Sequence, residues 1–431
     1  MKRVQFPRLG EVCCETVLDN GLKIQVVPRP GYLKSYAFFA TSYGGMNVRF
    51  RKDGVWQETP AGVAHFLEHK MFDTKEGNAL QKLTANGASA NAFTAAAMTA
   101  YYFDCTERFE ENLRTLLSFV SQGYFTQESV DKERGIIAQE IRMVEDNPDW
   151  QIYQQLLQAL YVRHASRVPI AGTVESIAEI TPQTLYDCHK AFYTPANMVL
   201  TVVGDVRPDR VFEAAERILP AESGPDIERD YGDEPEAIHE KEVTRQMEVS
   251  APQFLLGFKC PPPERGESGY RTELLGDLAW DILLGESSPL YQRLYENGTI
   301  NGSFGGAFDT LPGAACLYAG GDCREPRKVA EAILRETERL QTDGIDPDYW
   351  QRMRRAAFGS TLRGLNSFEN IAVGLAEGHF QGYDAFRFPR VYESIQPEDV
   401  LAFLRQNVRE ERMALSRILP GQEQEKEGTD A

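Results

Sequence analysis

The chain has 431 residues, 42% apolar and 26% charged, the profile of a soluble globular protein too long for one ordinary core. Its formal net charge is −18, and with no Lys/Arg cluster to form a basic patch it is not expected to bind nucleic acid. No apolar run approaches the roughly 18 residues of a membrane-spanning helix, and the basic start MKRVQFPRLGEVCC lacks the apolar core of a secretory signal, so a cytoplasmic protein with no membrane contact is expected.

In chain order, TVLDNGLKIQVVPRP reads as strand, Asn-Gly turn and strand, a hairpin. KSYAFFATSYGG is a further strand ending at Gly44-Gly45, and the run from Gly62 to Phe72 has a helical pattern. NALQKLTANGASANAFTAAAMTAYYFDC starts as a helix, turns at Asn86-Gly87 and continues as two extended runs. RFEENLRTLLSFVSQ and SVDKERGIIAQEIRMVEDN have the spacing of amphipathic helices, the second stopping or bending near Pro148, with Ile136, Ile137 and Ile141 marking its buried side. QTLYDCHKAFY is a further helix, and NMVLTVVGDV a buried strand.

Composition changes around residues 221–237, where AESGPDIERDYGDEPEA is acidic and poor in large apolar groups, as a solvated linker would be. Strand and helix patterns then resume, and the chain closes on a polar tail, GQEQEKEGTDA. The expected division is residues 1–222, an acidic linker 223–242, a second domain 243–420 and a disordered tail 421–431. NGASANAF (from Asn86) and NGTINGSF (from Asn297) echo one another, each after a pair of helices, which points to an internal duplication of about 200 residues. The seven cysteines include no CxxC pair, and Cys13 and Cys14 are adjacent, so reduced and mostly buried thiols are expected.

The stretch GVAHFLEHKMFD carries two of the six histidines. On a helix His65 and His69 share one face a turn apart, with Glu68 beside them. Neutral imidazoles are good zinc ligands, and a carboxylate beside them can take a proton from water. This is an H-x-x-E-H arrangement, the inverse of H-E-x-x-H. A catalytic zinc usually has a third protein ligand. Glu133 and Glu140, seven apart, share a face of a later helix, but such a pair is more often a solvated face, and spacing alone leaves the third ligand open.

TPAGVAHFLEHKMF, ASANAFTAAAMTAYYF, ERGIIAQE and NMVLTVVGDV, in that order, resemble the pitrilysin-type (M16) zinc peptidases, in particular a bacterial YmfH-like branch. The resemblance implies an α+β fold of the pitrilysin/LuxS-like metallohydrolase type: two duplicated homologous domains, each a mainly antiparallel sheet packed with helices, the second without a metal motif. It implies Zn2+ held by His65, His69 and Glu140, with Glu68 as general base and Glu133 as a supporting glutamate of the catalytic set. It also implies an edge strand, Ala90, Asn91, Ala92, Phe93 and Thr94, to which an extended peptide substrate adds. Active relatives carry an Arg and a Tyr in the second half, where this chain reads SSPLYQRLYENGTING: Tyr295 stands at the Arg position, Gly302 at the Tyr position, and Arg293 is two residues out of register. The expectation is therefore a zinc endopeptidase, or the zinc-bearing subunit of a heterodimer whose paralogous partner supplies Arg and Tyr, with a homodimer as the other arrangement. The alternative is a non-catalytic assembly or maturation factor that retains the fold.

Overall fold

The computed structural model describes residues 1–421, so the expected tail beyond Gly421 lies outside the described residues. The first half runs through strands β1 (Lys2–Phe6), β2 (Glu11–Val17), β3 (Lys23–Pro28), β4 (Ser35–Thr41), β5 (Arg49–Lys52) and β6 (Val55–Glu58) to helix α1 (Val63–Met71). Two-residue strands β7 (Asp73–Thr74) and β8 (Gly77–Asn78) lead to α2 (Ala79–Ala85), then β9 (Ser89–Thr94), β10 (Thr99–Cys105), α3 (Phe109–Ser121), α4 (Gln127–Glu145), α5 (Pro148–Leu160), α6 (Val174–Ala178), α7 (Pro182–Phe192), β11 (Met198–Gly204) and α8 (Pro208–Ile218). After β12 (Ile227–Asp230), the second half runs β13 (Glu242–Met247), β14 (Gln253–Cys260), α9 (Glu267–Leu284), α10 (Pro289–Glu296), β15 (Gly305–Leu311), β16 (Ala314–Asp322), α11 (Pro326–Asp343), α12 (Pro347–Gly364), α13 (Phe368–Gln381), α14 (Phe388–Ser394), α15 (Pro397–Asn407) and β17 (Met413–Pro420).

The two large sheets have the orders β1-β2-β3-β11-β4-β10-β9 and β13-β17-β14-β16-β15. Counted inward from β9 and from β15, five strands match one for one. Each set contains one parallel pair, β3–β11 and β13–β17, among antiparallel ones. The sequence echo sits at matching places: Asn86 caps α2 and Asn297 caps α10, and the glycine after each is left-handed, with φ of 78° at Gly87 and 73° at Gly298. That backbone region costs glycine nothing and is the usual way to end a helix.

Each half lends a helix to the other's sheet. Leu156, Leu157 and Leu160 of α5, with Tyr161 just after it, pack with Ala314, Cys316 and Ala414 of the second sheet. Gly257 of β14 lies beneath that helix, where an added Cβ would sit 2.8 Å from Leu156. In return, Ile371, Ala372, Leu375 and Ala376 of α13 pack with Phe38, Ala40, Val199 and Val203 of the first sheet. Helix α5 was not foreseen: its interrupted polar pattern hides a face that only the other half covers. Pro148 begins it, with the Asn147 side chain accepting the N–H groups of Asp149 and Trp150.

Residues 223–242 are not a solvated linker. β12 pairs with β5, Glu242 already belongs to β13, and the carboxylate of Glu234 accepts the backbone N–H groups of Val162, Arg163 and His164. The Lys259 ammonium, buried on β14, donates to Glu234 and to the carbonyls of Pro235 and Ala237. An acidic composition reads as solvated, but here one carboxylate meets a buried cation and three backbone donors. The segment is a strap tying the end of α5 to the second sheet.

Glu273, Asp277 and Asp281 recur every four residues on α9, half-buried and with no lysine or arginine paired to them among the described residues. Burial first, then the charges of Glu377, Asp277 and Asp309, pushes Glu273 up to about 8. Burial, then Asp281 and Asp309, pushes Asp277 up to about 7. Between an unfolded value near 4 and these folded values the native state binds the extra protons, so stability is highest at low pH in this window and falls as pH rises through it. Thermal unfolding followed by calorimetry should show Tm falling from pH 5 to 8. Glu273→Gln with Asp277→Asn should raise Tm at pH 8 and leave it nearly unchanged at pH 5.

Candidate metal centre

Helix α1 begins at Gly62, whose φ is 92° and whose added Cβ would lie 2.4 Å from the Ala171 carbonyl oxygen, so only glycine fits this start. Val63, Ala64, Phe66, Leu67 and Met71 are buried in the first core, which turns the His65/His69 edge toward α4. Helix α4 is opened by a Thr126/Ser129 capping box and faces inward through Val130, Ile137 and Ile141. Ile136 departs from the expected pattern: it is 47% exposed, one turn before Glu140 on the same flank of the helix.

The packing of α1 on α4 brings His65, His69 and Glu140 together. His65 Nε2 lies 3.5 Å from Glu140 Oε1, and His69 Nε2 lies 3.4 Å from Glu140 Oε2. A tetrahedral cation with bonds of about 2.0–2.1 Å holds its ligand atoms about 3.3–3.4 Å apart. Each imidazole therefore stands close to zinc-ligand spacing from one oxygen of Glu140, one ligand atom from each of the three residues lies within 4.8 Å of the others, and two imidazoles with one carboxylate suit zinc chemically. Among the described residues this trio is the only group of three or more His, Cys, Asp or Glu side chains poised in this way.

The surrounding groups set the orientation. His69 Nδ1–H donates to Glu133 Oε1 at 3.0 Å, which leaves its Nε2 lone pair facing the trio. Thr94 Oγ1 donates to Glu68 Oε2 at 2.7 Å. The bond from His69 holds the Glu133 carboxyl below the usual range against the opposing pull of burial, and the interaction with His65 does the same for Glu140. Burial alone would lower the His69 pKa, but the Glu133 bond and the charges of Glu68, Glu140 and Glu133 outweigh it and raise the value. Two imidazoles ringed by three carboxylates form a site of negative potential for a cation.

The expected site residues take distinct places. Glu133 bonds His69 Nδ1, the place of the supporting glutamate expected from the sequence. Within the strand taken for substrate binding, Thr94 is committed to Glu68. Phe93 packs toward Phe38 and Tyr102, Ala90 and Ala92 lean on the first core, and Asn91 is exposed. β9 has β10 on one side and no strand on the other, which leaves an open edge. Lys70, invisible as a functional residue in the sequence, is 1% exposed beside Glu133. The other buried histidines are structural: His164 bonds Ser166 and the Pro312 carbonyl, and His189 donates to the Val120 carbonyl. In the second half, Arg293 is tied to Glu336 at 2.5 Å, Tyr295 is 52% exposed and stacks on Tyr291, and Gly302 has open space around it.

The family model for insulinase (peptidase family M16) matches residues 52–174, and that for the peptidase M16 inactive domain matches residues 179–357. An uncharacterized zinc protease, YmfH, of Bacillus subtilis (strain 168) is 37% identical over 430 residues, covering 97% of this chain and 99% of the relative. A solved M16-like structure from Alicyclobacillus acidocaldarius is 33% identical with a TM-score of 0.92, covering 97% of this chain and all of that one. A peptidase M16 inactive domain from Pseudomonas fluorescens shares the fold at a TM-score of 0.80 and 16% identity, covering 95% of this chain and 98% of that one. The chain belongs to peptidase family M16, in its YmfH-like branch.

Zinc titration against a competing chelator tests the trio. The full chain should bind one zinc ion, Glu140→Gln should weaken binding by more than about 100-fold, and Thr94→Val should leave it unchanged.

Proposed function

We propose that the chain is the zinc-bearing subunit of an endopeptidase acting on peptides or flexible protein segments. The observation that carries this reading is the placement of Glu68, held by Thr94 and near enough to the metal trio for its charge to raise the His69 pKa. When bound there, zinc supplies a Lewis acid that polarises a carbonyl and brings the pKa of its water to about 7. Glu68 takes the proton of the attacking water and returns it to the leaving amine as the C–N bond breaks. Thr94 Oγ1 occupies one oxygen of Glu68, so the other is left for that proton. The open edge of β9 offers backbone N–H and C=O groups to an extended peptide, and affinity gained this way does not depend on side-chain sequence.

The chain's own second half offers no oxyanion donor in the expected register, since the Arg293 guanidinium is bound to Glu336. Loss of such a donor costs roughly two to three powers of ten in rate. A paralogous subunit carrying Arg and Tyr therefore completes the site, and the two subunits together enclose the substrate in a chamber. The exposed Tyr295 and the bare Gly302 also favour a second reading, a non-catalytic assembly factor that keeps the fold. As to compartment, no helix among the described residues is long and apolar enough to cross a membrane.

A fluorogenic peptide library separates the two readings. Zinc-loaded chain mixed with its M16 paralogue should cleave at least about 100-fold faster than either alone, and Glu68→Gln should abolish cleavage while retaining zinc. Zinc binding with no cleavage in any mixture would favour the assembly factor.

A further inference from the structure

Lys70 follows His69 directly on α1, yet its side chain is almost fully buried, 1% exposed. Burying an ammonium is costly unless it is paired, so its partners are informative. Nζ lies 2.5 Å from Asp73 Oδ2 and 3.6 Å from Glu133 Oε2. A lysine in the last turn of a helix would ordinarily face solvent or the terminal carbonyls; this one instead turns inward to the carboxylate that serves His69. Asp73 is itself held, accepting from Asn78 Nδ2 through its other oxygen at 3.4 Å, and the Asn78 side chain caps α2. Among the described residues Lys70 is the one lysine or arginine in ion-pair contact with any of the carboxylates Glu68, Glu133 and Glu140.

The two oxygens of Glu133 are thus divided. Oε1 accepts from His69 Nδ1 at 3.0 Å, and Oε2 faces the Lys70 ammonium. An unpinned carboxylate on α4 could rotate about its terminal torsion, which is broad, and lose the alignment that keeps the proton on Nδ1 and the lone pair on Nε2. We propose that Lys70 is a positioning residue for metal binding: anchored by Asp73, it pins Glu133 and so fixes the orientation and tautomer of His69. The proposal rests on the reading of His65, His69 and Glu140 as the zinc site, and extends it by a third link in the chain Asp73–Lys70–Glu133–His69.

The test is a double-mutant cycle on zinc affinity in the full chain, measured by chelator competition, with Lys70→Met, Glu133→Gln and the pair combined. Lys70→Met should weaken zinc binding by about 10- to 100-fold. In the Glu133→Gln background the same change should add less than about threefold, because the pathway is already cut. Nitrogen-15 histidine spectra of the zinc-free chain should show neutral His69 as a single Nδ1-protonated tautomer in the wild type and as a tautomer mixture in Lys70→Met. If Lys70→Met does not fold, Lys70→Gln, which can still hydrogen-bond Asp73 but carries no charge, replaces it under the same expectations. Wild-type affinity in the charge-removing variant, or losses that multiply in the double mutant, would overturn the role of Lys70 while leaving the zinc site intact. A wild-type chain that takes no zinc would overturn both.

Discussion

The structure turns on the crossing of α1 and α4. Two imidazoles one turn apart on a short, mostly buried helix point at one carboxylate on another, and neither helix can move without breaking a core contact. His65 is buried, and its Nδ1 has no hydrogen-bond partner among the described residues. Each imidazole stands 3.4–3.5 Å from a Glu140 oxygen, too far for a good hydrogen bond and close to the separation of two ligands on one tetrahedral cation. The bonds from Thr94 to Glu68 and from His69 to Glu133 then work outward from that arrangement.

What fixes α4 in place comes partly from the other half of the molecule. The chain leaves α4, turns at Asn147-Pro148, and enters α5, whose apolar face is buried against β14, β16 and β17. The Glu234–Lys259 strap fastens the far end of α5. The second half, which carries no metal ligand of its own, thus acts as a clamp on the helix that supplies Glu140, and the matching α13 returns the favour to the first sheet. Duplication followed by exchange of equivalent helices gives one structure with two sheets rather than two units on a tether.

Much of this was legible in the sequence, for identifiable reasons. The His65/Glu68/His69 spacing depends only on helix geometry, so it could be read directly, as could the β2–β3 hairpin from its Asn-Gly turn and the end of α4 from Pro148. Glu140 came from family resemblance alone, since a carboxylate pair at a seven-residue spacing carries no signal of its own. Long-range partners escaped: the face of α5 is covered by strands more than 90 residues away in sequence, and Glu234 meets Lys259 only after the second sheet has formed. Ile136 was misjudged because neighbouring isoleucines on one helix diverge by about 100°, and only Ile137 and Ile141 face the core. Lys70 and Thr94 gave no hint because their importance lies in which carboxylate they touch.

X-ray absorption at the zinc edge on the loaded full chain tests the central geometry most directly. The account predicts a first shell of two imidazole nitrogens and carboxylate oxygen at about 2.0–2.2 Å, with the second imidazole signal lost in His69→Ala and the oxygen shell altered in Glu140→Gln. A shell containing sulfur, or one unchanged by either substitution, would contradict it.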